Sequence, residues 1–492
     1  MKKGVIAVVA AIALVGVAVA AIPLVEGFAA SRIKAEIERD GTTTVGQVGV
    51  GLLARRVTLA DIKSSHAAGL SVGHWEVSGL GWPLAELLRG RTPLAGFYWG
   101  SPLKADRVEL QQVRFGDRGT TGTWSVEKLV LEDVDLARFD ASEDGPYRGV
   151  VILARAMGAL SFRRFEQIGT VFALPRSGDT FGASKIDVDR YEGGRMASAT
   201  ALGIEVTASE GRAPLYRMAN IDVRGLDARR VLAALSSTDW YPDAPIGRLK
   251  VERAVAAGFG GEMFTRYGVS LGSVTIETLR ESDKVSRTRT RIDGFVLSPP
   301  LRNMEALKLR VALQAMGLRE LKLGFDCAGI EDREQAEITI DRCALSGPDL
   351  AEINFTARIV GADEAFWLAV DDGDTAAIYD SKAALASARL MLADGGLLDR
   401  GLKAFAATTG QPASAVRANL ARDIRRFQPA GLLITQSLTQ LLEAVARFIE
   451  KGGTLTFDAR PEPPLAIDRI DYLTSPGADL VSALGLTATQ SR

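Results

Sequence analysis

Residues 69–80 read GLSVGHWEVSGL, and how they are read decides the class of fold. The first five match G-x-S-x-G, the pattern of a nucleophile elbow, with Ser71 at its centre. An elbow needs a strand before the serine and a helix after it, so that Oγ is raised on a tight turn. Here Val72, Trp75 and Val77 continue as strand, and no helical pattern begins before Trp82. The usual triad order also requires a late histidine, yet the chain holds only His66 and His74. The stretch therefore reads as the second strand of a hairpin. Its first strand is VTLADI (57–62) and its turn KSSHAAG (63–69). On plain alternation Ser71 and Gly73 share one face, with Leu70, Val72 and His74 on the other.

The same texture extends outward. Strands are expected over 105–115, 123–136, 199–208, 218–226, 246–255, 269–279 and 287–297, where apolar and polar residues alternate as in half-buried antiparallel sheets. Helical patterns interrupt them at WPLAELLRG (82–90), 149–168 and DARRVLAALSS (227–237). Residues 301–317 read as a helix by composition, although Leu307, Leu309, Val311 and Leu313 also alternate as in a strand. A meander follows over 320–330, 336–345 and 352–361. Three helices then come at 396–410, 412–427 and 431–453; the last spaces Ile434, Leu438, Leu441, Val445 and Phe448 by threes and fours. The fold class is α+β, mostly antiparallel sheet with a helical C-terminal portion. The divisions are 1–25, 26–43, 44–300 and 301–492.

With 492 residues, 47% apolar and 24% charged, the chain is long enough for two or three packed domains. Its 59 basic and 60 acidic side chains are mixed, which argues against a nucleic-acid partner. Residues 1–25 begin with Lys2 and Lys3 and then run uncharged from Gly4 to Val25. As a helix those residues reach about 33 Å, enough to cross a bilayer. The charge order leaves the N-terminus in the cytoplasm and the remainder outside. An uncleaved anchor is favoured over a signal peptide cut near Ala18-Val19-Ala20, because the run is longer than a signal core. Next comes a helix in which Ala29, Ile33 and Ile37 share a face. It lies on the membrane surface, continues the anchor, or packs on the first strands.

Candidate sites are few. Two histidines and no ligand spacing argue against a metal. DDGDTAAIYD (371–380) lacks the spacing of a calcium loop and reads as a solvated turn, and GFGGEMF (258–264) lacks the ending of a phosphate loop. No cofactor is expected. Arg287, Arg289 and Arg291 line one strand face, a solvated face or a basic stripe for anionic lipid. Leu321, Leu323 and Phe325 mark an apolar sheet face that Ile338, Ile340, Leu455 and Phe457 extend. Cys327 shares that face, but Cys343 falls on the other unless a bulge intervenes. Parity thus argues against a Cys327–Cys343 disulfide, while export to an oxidising compartment argues for it.

The order of an N-terminal apolar run, a short helix and TTTVGQVGVGLLARRVTLADIKSSHAAGLSVGHWEVSGL (42–80), with Val45-Gly46-Gln47-Val48 as first strand, resembles the start of AsmA-like proteins of the bacterial envelope. The C-terminal part, with GGTLTFDARPEPPLAI (452–467), resembles an exported proteobacterial domain of unknown function. The AsmA-like resemblance implies a sheet curled into a trough with an apolar inner face, related to bridge-like lipid carriers. It further implies a role in phospholipid movement or outer-membrane homeostasis. The expected protein is a single-pass inner-membrane, periplasmic, non-enzymatic one with phospholipid as its partner. The alternative is a structural envelope protein with no lipid cargo, its apolar face filled by its own C-terminal helices.

Overall fold

The computed structural model describes residues 22–39, 41–65, 69–80, 100–117, 122–142, 145, 147–175, 177–211, 213–242, 244, 246–428, 434–469 and 479–492. Most of the expected anchor, the turn histidine His66 and the helical pattern at 82–90 lie outside these residues. Among the described residues no helix is long and apolar enough to cross a membrane. The chain forms two compact units, Met1–Pro214 with Gly225–Ala244 and Leu215–Arg224 with Pro245–Arg492.

The first unit opens with α1 (22–37). An antiparallel sheet follows: β1 (Thr43–Thr44), β2 (Gln47–Gly51), β3 (Arg56–Ser64), β4 (Leu70–Ser78), β5 (Leu103–Asp117), β6 (Gly122–Leu136), β7 (Leu160–Ala173), β8 (Thr180–Glu192) and β9 (Arg195–Thr207). Helices α2 (Arg148–Ala159) and α3 (Arg229–Leu235) pack on each other. The helix expected over 149–168 thus stops at Ala159, and its second half is strand. Helix α1 packs on the first strands, one of its three readings, and its first turn includes residues 22–25 of the expected anchor. Ile33 is only 1% exposed within the core of β3–β6. Glu26 accepts the N–H of Leu52 at 2.8 Å, Glu38 accepts that of Val45 at 2.9 Å, and Lys34 donates to the Gly46 carbonyl at 3.2 Å.

Two creases cross this sheet. Asp61, Gln112, Gly169 and Gly203, on β3, β5, β7 and β9, have φ of 54°, 53°, 65° and 57°. The ladders omit the pair at each of these positions and then resume in unchanged register. A second row runs through Gly79, Asp133 and Arg190, the last two on β6 and β8. On every long strand the rows lie six residues apart, as at Asp133 and Glu127 or Arg163 and Gly169. Each crease slips the in–out alternation by one residue. The inward set on β4 is therefore Leu70, Val72, Trp75 and Val77, and on β6 it is Trp124, Val126, Leu129, Leu131 and Val134. Its steps are two, three, two and three. This corrects the face assigned to His74, which follows the crease at Gly73 and lies opposite Val72.

The second unit is an antiparallel meander. From β10 (Tyr216–Asp227), of which 216–224 belong here, it runs through β11 (Arg253–Ala257), α4 (Glu262–Tyr267), β12 (Val269–Ser270), β13 (Ser273–Arg280) and β14 (Val285–Leu297). It continues through α5 (Met304–Ala315), β15 (Leu321–Asp332), β16 (Glu337–Gly347), β17 (Ala351–Val360), α6 (Glu364–Asp372) and α7 (Thr375–Tyr379). Then come β18 (Ala384–Asp394), α8 (Leu397–Thr409), α9 (Ala413–Arg425), α10 (Gln436–Lys451), β19 (Thr454–Ala459), β20 (Leu465–Ala466), α11 (Leu480–Ala483) and β21 (Thr487–Ser491). No ladder among the described residues closes the sheet. β14 and β15 pair across residue 300, where a division was expected. Of the strand expected over 246–255, only the end joins β11. Residues 246–252 form a strap instead: Arg248 N–H donates to the Asp371 carbonyl at 2.8 Å, and Glu252 N–H to that of Arg224 at 3.1 Å.

Candidate functional site

The register of the second unit aligns apolar side chains across nine strands. Ile221, Ala256, Val274, Ile292, Phe325, Leu345, Ile353, Leu392 and Leu455 stand opposite one another in turn. At roughly 4.8 Å per strand the row spans about 38 Å. A parallel row carries Val223, Ala254, Ile276, Thr290, Cys327, Cys343, Phe355, Leu390 and Phe457. Leu321, Leu323, Phe325, Ile338, Ile340, Leu455 and Phe457 all fall on this face by register. Leu345, Ile353 and Leu390, on β16, β17 and β18, remain 38–39% exposed.

The cysteines share the face because β16 carries a bulge. Ala328 pairs with Arg342 but Gly329 pairs with Ile340, so Asp341 is the extra residue. That single residue reverses the parity of Cys343 relative to Ile340. Cys327 and Cys343 then stand opposite each other and form a disulfide. The plain-hairpin parity argument is thereby corrected.

Helices cover this face in two places and leave part of it exposed. Ala444 and Phe448 of α10 pack on Leu455, Leu392 and Phe457. Phe366 and Trp367 of α6 pack over Ile338 and Ile359. Where the face meets α8–α10 a cavity of about 710 Å³ opens, lined by Leu392, Leu398, Leu402, Phe405, Leu420 and Phe448. Leu392 belongs to both the cavity and the nine-strand row. Phe405 is 58% exposed at its mouth. Asp394, Thr409, Gln411, Asn419 and Asp423 also line the cavity, and the Asp394 carboxylate is taken by the N–H groups of Gly396 and Leu398, at 3.2 and 2.9 Å. Such a lining suits an apolar chain better than a polar ligand.

Ion pairs hold these helices together. Arg425 of α9 meets Glu443 and Glu450 of α10 at 2.7 and 2.6 Å, and Arg417 pairs with Asp399 of α8. Hydrogen bonds from Arg425 and Arg447 hold the Glu443 carboxyl at about 2.

The opposite face of the sheet is a lattice of opposite charges. Arg287 pairs with Glu281 and Asp341, and Arg289 with Asp326 at 2.5 Å. Arg291 lies 3.8 Å from the same carboxylate. The arginine stripe thus carries its own counter-charges and is not a free basic surface.

The remaining sequence candidates are dispersed. Ser71 pairs with Lys63 and Arg114 in its ladders, whereas His74 pairs with Ala60 and Gln111 and sits 3.8 Å from Glu76. Among the described residues no hydrogen bond reaches the Ser71 hydroxyl. No cluster of three metal-binding side chains occurs among the described residues. Asp371 is not in a solvated turn: it is 1% exposed and receives Arg333 at 3.0 Å and Lys250 at 3.4 Å. Sequence reading missed this buried ion pair because its members lie 38 and 121 positions apart.

A family model described only as an uncharacterized protein matches residues 344–491, the segment that contains the cavity and α8–α10. No curated protein matches the chain.

Proposed function

We propose that this is a non-enzymatic lipid-handling protein of the bacterial envelope, anchored in the inner membrane by residues 1–25 with the rest of the chain in the periplasm. The observation that carries the reading is the exposure of Leu345, Ile353 and Leu390 on the second unit's apolar face, beside an apolar cavity that Leu392, the register partner of Ile353, also lines. Leaving Leu345, Ile353 and Leu390 in water is costly for a sheet that has no occupant, at about 25 cal/mol per Å² of apolar surface. The disulfide fits an oxidising compartment, and the AsmA-like opening at 42–80 fits a carrier of phospholipid.

The test is lipid extraction and mass spectrometry of the full-length protein purified from membranes, beside a control anchored protein. Phospholipid above the control level is expected, with a clear reduction in Ile353→Asp. Lipid no greater than the control would remove the reading.

A scaffolding role with no cargo is the second reading. It is favoured by the helices already seated on parts of the face, and the same experiment decides between the two.

A further inference from the structure

Followed along the strands, the apolar face of the second unit changes character within three residue pairs. Ile276, Thr290 and Cys327 stand in line. Next come Thr278, Thr288 and Gly329, and then Arg280, Ser286 and Glu331. Apolar side chains give way to a hydroxyl pair, Thr278 and Thr288 at 3.2 Å, and then to charge.

A second cavity of about 240 Å³ lies at this end, walled by the strap 246–252. It gathers five cations, Arg248, Lys250, Arg280, Lys284 and Arg333, against the lining acids Asp283 and Glu331. Glu331 takes Arg248 at 2.8 Å, and buried Asp371 takes Lys250 and Arg333. Arg280 and Lys284 form no ion pair among the described residues. Arg333 is further fixed by stacking over Trp367, 4.8 Å from the ring centre. The volume has room for about eight waters at about 30 Å³ each, and two surplus cations favour an anion over water.

We propose that this pocket binds the phosphate of an anionic lipid whose acyl chains lie on the adjoining apolar rows. The proposal rests on the lipid-handling reading and adds a headgroup class to it. Arg280 and Lys284 meet the phosphate, Ser286 and the threonine pair lie where a glycerol backbone would pass, and Ile276 begins the path of the chains. Asp371 and Glu331 keep Arg333, Lys250 and Arg248 in place as positioning residues.

Calorimetry on the full-length protein with dihexanoyl phosphatidic acid, dihexanoyl phosphatidylcholine and inorganic phosphate tests this. The wild type is expected to prefer phosphatidic acid over phosphatidylcholine and to bind inorganic phosphate far more weakly than phosphatidic acid. Arg280→Glu with Lys284→Glu should weaken phosphatidic acid at least about tenfold and leave phosphatidylcholine unchanged. The milder Arg280→Gln with Lys284→Gln should give a smaller loss in the same direction, which excludes misfolding as the cause. Lipid binding with no preference, or a preference that survives both variants, overturns the headgroup assignment while the lipid reading stands. Inorganic phosphate binding as tightly as phosphatidic acid shows a soluble-anion site and also overturns it. No binding of either lipid removes the lipid reading and this proposal together.

Discussion

The two units build the same kind of surface and use it differently. In the first, Leu59, Trp75, Leu110 and Leu129 align across β3–β6, as Phe325, Leu345, Ile353 and Leu392 do across β15–β18 in the second. The first row packs against a helix-covered core: Leu59 is 2% exposed, Ile33 of α1 is buried with it, and Trp75, Leu110 and Leu129 are partly buried against them. The second keeps Leu345 and Ile353 at 39% and 38% exposure. An aligned apolar row is thus not itself a binding surface. Whether a helix is seated on it decides between core and open face.

The comparison breaks first where burial differs most. Leu59→Asp places an unpaired carboxylate in the sealed core and should cost about 4 kcal/mol or more, enough to unfold the first unit. Ile353→Asp, chemically similar, should cost about 1 kcal/mol or less in a urea titration while lowering bound lipid. Equal losses at the two sites would mean that the second face is closed in solution.

Asp371→Ala leaves Arg333 and Lys250 without their partner and should cost about 3 kcal/mol, with faster hydrogen exchange in the strap 246–252. The loss is below that of a fully sealed pair, because Lys250 and Arg333 are 36% and 28% exposed. Cys327→Ser opens a cross-link of separation 16 and should cost about 2–3 kcal/mol. Mass spectrometry of the non-reduced wild type should show two hydrogens fewer than the reduced form. In the first unit, Gly169→Ala adds a Cβ at φ 65° against Glu127 and should cost about 1–2 kcal/mol.

The smallest effect is acid dependence. Burial raises the Glu109 carboxyl, but hydrogen bonds from Arg107, Gln111 and Lys128 outweigh it and hold the group at about 2, the value of Glu443 in the second unit. A carboxyl lowered by folding contributes stability above its unfolded value near 4.5, and that contribution is lost as pH falls toward 2. Glu109→Gln and Glu443→Gln should therefore lower the melting temperature at pH 7 and scarcely at all near pH 2.

Particular residues show how far sequence reading reaches. Leu70, Val72, Trp75, Val77 and Leu80 were visible as a strand, and the two-three-two-three spacing was also there to be read. Strict alternation hid it, because a left-handed residue in mid-strand leaves no composition signal when it is Asp61, Gln112 or Arg190. The seven face residues from Leu321 to Phe457 were legible because local period-two spacing sets a side chain's face wherever no bulge intervenes. The bulge at Asp341 was not legible, and with it went the parity of Cys343.

Local pattern alone determined most of the strands, the three C-terminal helices and which residues of a strand are apolar, since these depend on neighbours in the chain. Tertiary structure alone decided that α1 lies on the sheet, that Leu345, Ile353 and Leu390 of the second face stay open, and that Arg280, Lys284 and Arg333 meet in one pocket. Those outcomes depend on groups brought together from distant positions, and on the competition between burying an apolar face under a helix and leaving it for a ligand.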